Sequence, residues 1–122
     1  MLSQSRKAKG RLYQQALAKM IIEAFSELAE DDVQNNSMGA PGIDVRLSPL
    51  AQSVFPISIE AKNSKSHPAS AALEQAKYNA YPGTIPVVSW KPPRKGVEEG
   101  LAIMMFSDLI KLIKLLKKQN GS

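Results

Sequence analysis

Asp44 and Glu60, with Lys62 two residues further on, are the residues of this chain whose types and spacing could do chemistry. They lie in "PGIDVRLS" and "FPISIEAKN", stretches in which apolar and polar residues alternate. Alternate side chains of a strand share a face, so Ile57, Ile59 and Ala61 point one way and Ser58, Glu60 and Lys62 the other. By the same rule Ile43, Val45 and Leu47 form an apolar face with Asp44 and Arg46 opposite. The pattern predicts strands over Ile43 to Ser48 and Phe55 to Asn63, with "PLAQSV" joining them into an antiparallel hairpin about Gln52. That register sets Asp44 across from Glu60, their side-chain stems roughly 5 Å apart. Two carboxylates so placed repel, and one pKa rises unless a cation sits between them. Their oxygens suit a hard divalent ion such as magnesium, and Lys62 adds a cation at the same mouth. This is chemistry for holding a phosphate and activating a water. A solvated strand face that carries the same three charges by chance is the competing reading.

The elements that must position these residues are legible around them. Tyr13, Leu17, Met20, Ile21, Ala24, Phe25 and Leu28 recur at three-to-four spacing and predict a helix over Leu12 to Leu28. "EDDVQNNSMGAPG" reads as a polar loop. "ASAALEQAKYNAY" reads as a second helix, stopped by Pro82 and Gly83. "TIPVVSW" is a third strand, in which Pro86 argues for an edge or a bulge. After the basic loop "KPPRKG", the run "GLAIMMF" fits a buried strand, and "SDLIKLIKLLKK" a closing helix with Ser107 as its N-cap. The order is helix, two strands, helix, strand, strand, helix, an α/β layering.

Composition bounds what such a chain can be. Its 122 residues suffice for one domain, and 43% apolar with 22% charged residues is ordinary globular composition. The absence of cysteine excludes disulfides, thiolate zinc sites and cysteine nucleophiles. The longest apolar run, Leu101 to Phe106, is too short to span a bilayer, and "MLSQSRKAKGR" has no signal-peptide hydrophobic region. The expectation is a soluble, cytoplasmic protein with no membrane partner. A formal charge of +5 favours polyanionic partners.

"PGID" at Pro41 to Asp44, followed sixteen residues after the aspartate by "EAK" at Glu60 to Lys62, resembles the PD-(D/E)XK motif of the restriction-endonuclease-like nuclease superfamily. "RKAKGRLYQQ" is similar to the basic start of Holliday-junction resolvases, and "NNSMGAPGID" to the serine- and glycine-bearing loop before their motif aspartate. "QAKY", Gln75 to Tyr78, resembles the glutamine helix of several branches. The resemblance covers roughly residues 6 to 90. Small stand-alone members of this kind are frequent in phages.

The resemblance implies a restriction-endonuclease-like core, a central mixed β-sheet flanked by helices in the order α-β-β-α-β-β-α. Residues 1–122 then form a single nuclease-like domain with a basic N-terminal segment and a C-terminal amphipathic helix. It implies a magnesium-dependent DNA endonuclease, with manganese able to substitute, selective for branched or otherwise structured DNA as Holliday-junction resolvases are. Asp44 and Glu60 would ligate one or two metal ions together with the backbone carbonyl of Ala61. Lys62 would orient or deprotonate the attacking water, and Gln75 would position that water. Many relatives carry a glutamate on the first helix where this chain has Gln14, which at about 100° per residue lies on the edge of the apolar stripe beside Ile21 and Phe25. A neutral amide can hydrogen-bond a metal-bound water but supplies no anion, which favours a one-metal site.

Arg6, Lys7, Lys9 and Arg11 are the leading candidates for phosphate contacts, followed by Lys65 and by Lys91, Arg94 and Lys95. His67 reads as a loop residue, and Trp90 and Tyr81 as base-stacking or core aromatics. Symmetric cutting of branched DNA needs two sites, which predicts a homodimer. Two other readings remain: a catalytically weak nucleic-acid-binding module on the same fold, and a basic assembly protein whose last helix pairs subunits.

Overall fold

Ser48 and Pro49 decide the topology. Pro49 carries no N–H and has a backbone preset for a first helical turn, and the Ser48 hydroxyl accepts from Ala51 N at 3.0 Å. "PLAQSV" is therefore a helix and not a hairpin turn. The computed structural model describes residues 4–36, 41–66 and 70–119. In chain order it contains α1 (Gln4–Ala24), β1 (Val33–Asn35), β2 (Val45–Leu47), α2 (Pro49–Val54), β3 (Ile57–Lys62), α3 (Ser70–Asn79), β4 (Ile85–Trp90), β5 (Leu101–Ile103) and α4 (Phe106–Gln119).

The fold is α/β with a mixed sheet, as expected, but its order, α-β-β-α-β-α-β-β-α, differs from the predicted one. The predicted pairing of the two motif strands also fails. With α2 between them, β2 pairs antiparallel with β1, setting Val33 against Leu47 and Asn35 against Val45. β3 pairs parallel with β4, Ile57 against Ile85 through Lys62 against Trp90. β5 then pairs antiparallel with the last three residues of β4. The strand order is thus β1-β2 in one sheet and β3-β4-β5 in another.

Pro86 lies in the central strand of that second sheet, and local pairing explains why. Ile85 N donates to Pro56 O at 2.9 Å, so the odd-numbered amides of β4 face β3 and Pro86 faces the other side. Over that half of β4 there is no β5, and no ladder bond is lost.

α1 starts two turns earlier than its apolar stripe. Its buried face is Tyr13, Gln14, Leu17, Ala18 and Ile21, whereas Met20 is exposed. This face covers Val33, Val45, Leu47, Ala51 and Ile59, the main core. A second, smaller core lies across the sheet, where Ala72 and Ala76 of α3 meet Val88, with Leu73 and Ile103 at its border. Two further expectations are corrected. β5 is short, pairs with β4 alone among the described residues, and its Leu101 is exposed rather than buried. α4 begins at Phe106, with Met105 O accepting from Asp108 N and Leu109 N, so Ser107 is inside the helix and not its cap.

The Ser48 hydroxyl also donates to Asp32 Oδ1 at 2.7 Å, and Ala29 N donates to Asp32 Oδ2 at 2.8 Å. The Ala29 amide, then the Ser48 hydroxyl, hold the Asp32 pKa below its ordinary value. One side chain thus caps α2 and anchors the turn before β1. Ser48→Ala should cost about 1 kcal/mol or somewhat more, read as a lower urea midpoint at unchanged slope; an unchanged midpoint would remove the cap from the fold's determinants.

Candidate active site

Glycine makes the approach to Asp44 possible. Gly42 holds φ at +102°, a backbone region that L side chains rarely adopt, and turns the chain into β2. The turn is tied from outside by Asn36, whose Nδ2 donates to Pro41 O at 3.2 Å and whose N donates to Asp44 O at 2.8 Å. Asp44 stands just before β2, half-buried, with its carboxylate turned toward β3.

β3 offers it one edge. Pro56 O accepts from Ile85 N and Lys62 O from Lys91 N, so the even-numbered carbonyls of β3 serve the ladder to β4. The N–H and carbonyl of Ala61 therefore face the opposite edge. There Ala61 N donates to Asp44 Oδ2 at 2.8 Å. Asp44 and Glu60 come together through this bond across two sheets, rather than as cross-strand partners of one hairpin.

Glu60 is paired in register with Val88, and so lies on the sheet face that α3 covers with Ala72 and Ala76. It is only 4% exposed, which excludes a solvated strand face. Lys62 Nζ lies 3.4 Å from Glu60 Oε2, and its side chain is 35% exposed, reaching from the buried acid to solvent. Desolvation raises the Asp44 pKa against the opposing pull of the Ala61 N–H and the Lys62 charge. Desolvation also raises that of Glu60, the Asp44 charge raises it further, and Lys62 offsets part of this. The arrangement is two desolvated carboxylates and one ammonium.

Gln14 sits 7% exposed at the centre of this junction. With its amide nitrogen turned toward them, it donates to the carbonyls of Asp44 and Asn36, 3.2 Å each. It grips the main chain on both sides of the turn that aims Asp44. Gln75 is exposed on α3, the helix above Glu60, and no hydrogen bond joins it to the carboxylates.

The basic segment reaches the same region. Asn63 Nδ2 makes a long 3.5 Å contact to Lys9 O, so the first turns of α1 lie beside the end of β3. Lys9 and Arg11 are exposed there, Lys7 is half-buried, and Lys65 is exposed just beyond β3. The side chain of Arg6, His67 and the loop residues Ser37 to Ala40 lie outside the described residues. Tyr81 and Trp90 are structural: the Tyr81 hydroxyl accepts from Leu47 N at 3.1 Å, and Trp90 Nε1 donates to Ser64 O at 3.1 Å. A groove of about 750 Å³ between α1 and β1, lined among others by Gln15, Lys19, Glu23 and Gln34, shares no lining residue with this site.

A divalent ion fits the donor set. The paired carboxylates are desolvated with a single partly exposed lysine to balance them, and the Ala61 carbonyl faces the Asp44 edge. Among the described residues no group of three or more acidic or histidine side chains is placed to hold a metal ion. The protein oxygens are thus two carboxylates and a carbonyl, and the rest of the shell would be water, the manner in which magnesium is usually held.

Two expectations follow from this geometry. Because both pKa values are raised, the native state holds these protons more tightly than the unfolded chain, so their contribution to stability falls as pH rises through the native pKa values. Asp44→Asn keeps an acceptor for Ala61 N and removes one desolvated charge. Its melting temperature should exceed that of the wild type at neutral pH, and thermal melts should show the gap closing toward pH ~4, near the ordinary carboxylate value. A gap independent of pH would contradict the burial argument. Gln14→Glu, although it restores an acid at the relatives' position, sets a carboxylate against two carbonyls. It should destabilise by about 1–3 kcal/mol at neutral pH and recover on acidification, where a protonated acid can donate once; urea titrations at both pH values test this.

Comparison with known proteins returns no matching family model, no matching curated protein and no matching solved structure.

Proposed function

We propose that the chain is a magnesium-dependent endonuclease of the PD-(D/E)XK type that hydrolyses phosphodiester bonds in DNA. The observation that carries the reading is the pair Asp44 and Glu60, joined across two sheets by the Ala61 N–H and flanked by the Lys62 ammonium. Asp44, Glu60 and the Ala61 carbonyl would hold the ion, which when bound supplies Lewis acidity toward the phosphate and a lowered pKa for a coordinated water. Lys62 reaches from Glu60 to solvent, so its ammonium can meet the scissile phosphate and steady the charge that develops on it. Gln14 keeps Asp44 in place through its carbonyl. Lys7, Lys9, Arg11 and Lys65, at the same end of β3, provide the cations that a phosphate backbone needs on either side of the cut. Manganese should replace magnesium, and selectivity for branched DNA is the finer part of the proposal.

A catalytically weak DNA-binding module on the same scaffold is the second reading. It is favoured by one observation: the Gln14 amide nitrogen is committed to main-chain carbonyls, and the residue brings no third anion.

The deciding experiment incubates the protein with magnesium or manganese and four-way junction, flap, nicked, duplex and single-stranded DNAs. The wild type should cut at least one of these, chelation should stop it, and Asp44→Asn or Glu60→Gln should lower the rate by about 10²-fold or more, the scale of losing one transition-state stabiliser. Lys62→Ala should lose cleavage but keep calorimetric binding of the metal. Binding without any cleavage would establish the second reading, and Asp44→Asn cutting at the wild-type rate would move the active centre elsewhere.

A further inference from the structure

α4 is a 14-residue helix with no buried residue. A lone helix of that length is marginal in water, and most helical stability in proteins comes from packing of an apolar face. Leu109 and Leu112 of α4 are half-buried. Its outer side is not covered: Phe106 is 74% exposed, Ile113 49% and Leu116 53%. With Leu101 51%, Met105 39% and Ile110 44% exposed, these leave open a patch on the scale of the largest that a typical monomer shows, about 300–600 Å². A standard interface takes about 800 Å² from each partner, so this face supplies a large part of one.

Three features select the occupant. Phe106, Leu109, Ile113 and Leu116 follow a 3-4-3 spacing, the seam of two helices packed side by side. Lys111, Lys114 and Lys118 lie off that seam and remain in solvent when it closes. Just before the helix in sequence, β5 pairs only with β4 among the described residues, which leaves its other edge without a strand partner there. A lipid surface leaves unpaired backbone groups unsatisfied at a cost of several kcal/mol, whereas another polypeptide can hydrogen-bond them.

We propose that this face pairs with the same face of a second copy of the chain, the two α4 helices antiparallel about a two-fold axis near Lys111. That register sets Phe106 against Leu116 of the other copy and Leu109 against Ile113, an isologous contact. The antiparallel sense also keeps Lys117 and Lys118 of the two copies at opposite ends, where a parallel pair would crowd them. The pairing does not depend on the chemistry at Asp44 and Glu60.

Light scattering on size-exclusion fractions at micromolar to sub-millimolar concentration should give twice the chain mass of 13.3 kDa. The Ile113→Glu, Leu116→Glu double variant should give the single chain mass with an unchanged circular dichroism spectrum below 220 nm apart from any fraying of α4. Because the chain has no cysteine, the register can be read covalently. A mixture of Phe106→Cys and Leu116→Cys chains should form the mixed disulfide on oxidation, and neither chain alone should cross-link. A monomeric wild type overturns the proposal, as does self-disulfide formation by Phe106→Cys alone. Co-sedimentation of a monomeric wild type with phosphatidylserine-containing vesicles would assign the face to a membrane surface instead.

Discussion

A single hydrogen bond, from Ala61 N to Asp44 Oδ2 at 2.8 Å, joins the two sheets at the point where the candidate chemistry lies. It satisfies an amide on the edge of β3 that β4 cannot reach, and an unpaired amide in that half-buried place would cost about 1–3 kcal/mol. The same bond pins the carboxylate that ends the Gly42 turn. The turn in turn holds Asn36 and, through it, the end of β1. Gln14 of α1 joins the same junction, because it can grip Asp44 and Asn36 only when these two main-chain segments are side by side.

What this junction assembles is poorly balanced in charge. Burial disfavours ionisation of both acids, and the Asp44 charge adds to the difficulty at Glu60. Lys62 offsets part of this, but at 35% exposure its ammonium is shared with water. A site that merely stabilised the fold would be better served by apolar residues in the same space. Groups kept in an environment that pushes their pKa values away from ordinary mark functional sites more often than structural ones. The cation-shaped deficit between Asp44 and Glu60 is the physical content of the functional reading.

The types and spacing of the candidate residues were readable in the sequence, and the way the fold brings them together was not. Period-two alternation placed Glu60 and Lys62 on one face of a strand, and they are there. The same alternation suggested a hairpin that put Asp44 opposite Glu60, and the right neighbours emerged from the wrong topology. The signal that separates the two is short: serine before proline at "SPLAQSV" is a helix start. β1 carried no such signal. Its three residues, Val33–Asn35, have one buried apolar side chain among polar neighbours, and their extended form is imposed by pairing with β2. Gln14 was placed correctly by its angle on α1, but an angle does not say whether an amide faces a water or a carbonyl.

The parallel pairing of β3 with β4 has a consequence in time. A parallel neighbour requires a crossover, here through α3, so Ile57 can meet Ile85 only once the residues between them have been made. Contacts this distant in sequence come at a cost in loop entropy and are slow to form. A nascent chain that has reached Lys62 already carries both acids and the lysine. It lacks the strand and the helix that shield Glu60, so its carboxylates remain hydrated, with the acidity of any exposed side chain. The raised pKa values of the pair belong to the finished chain, and the Glu60 carboxyl is a built-in reporter of the moment at which the second half of the protein closes over the first.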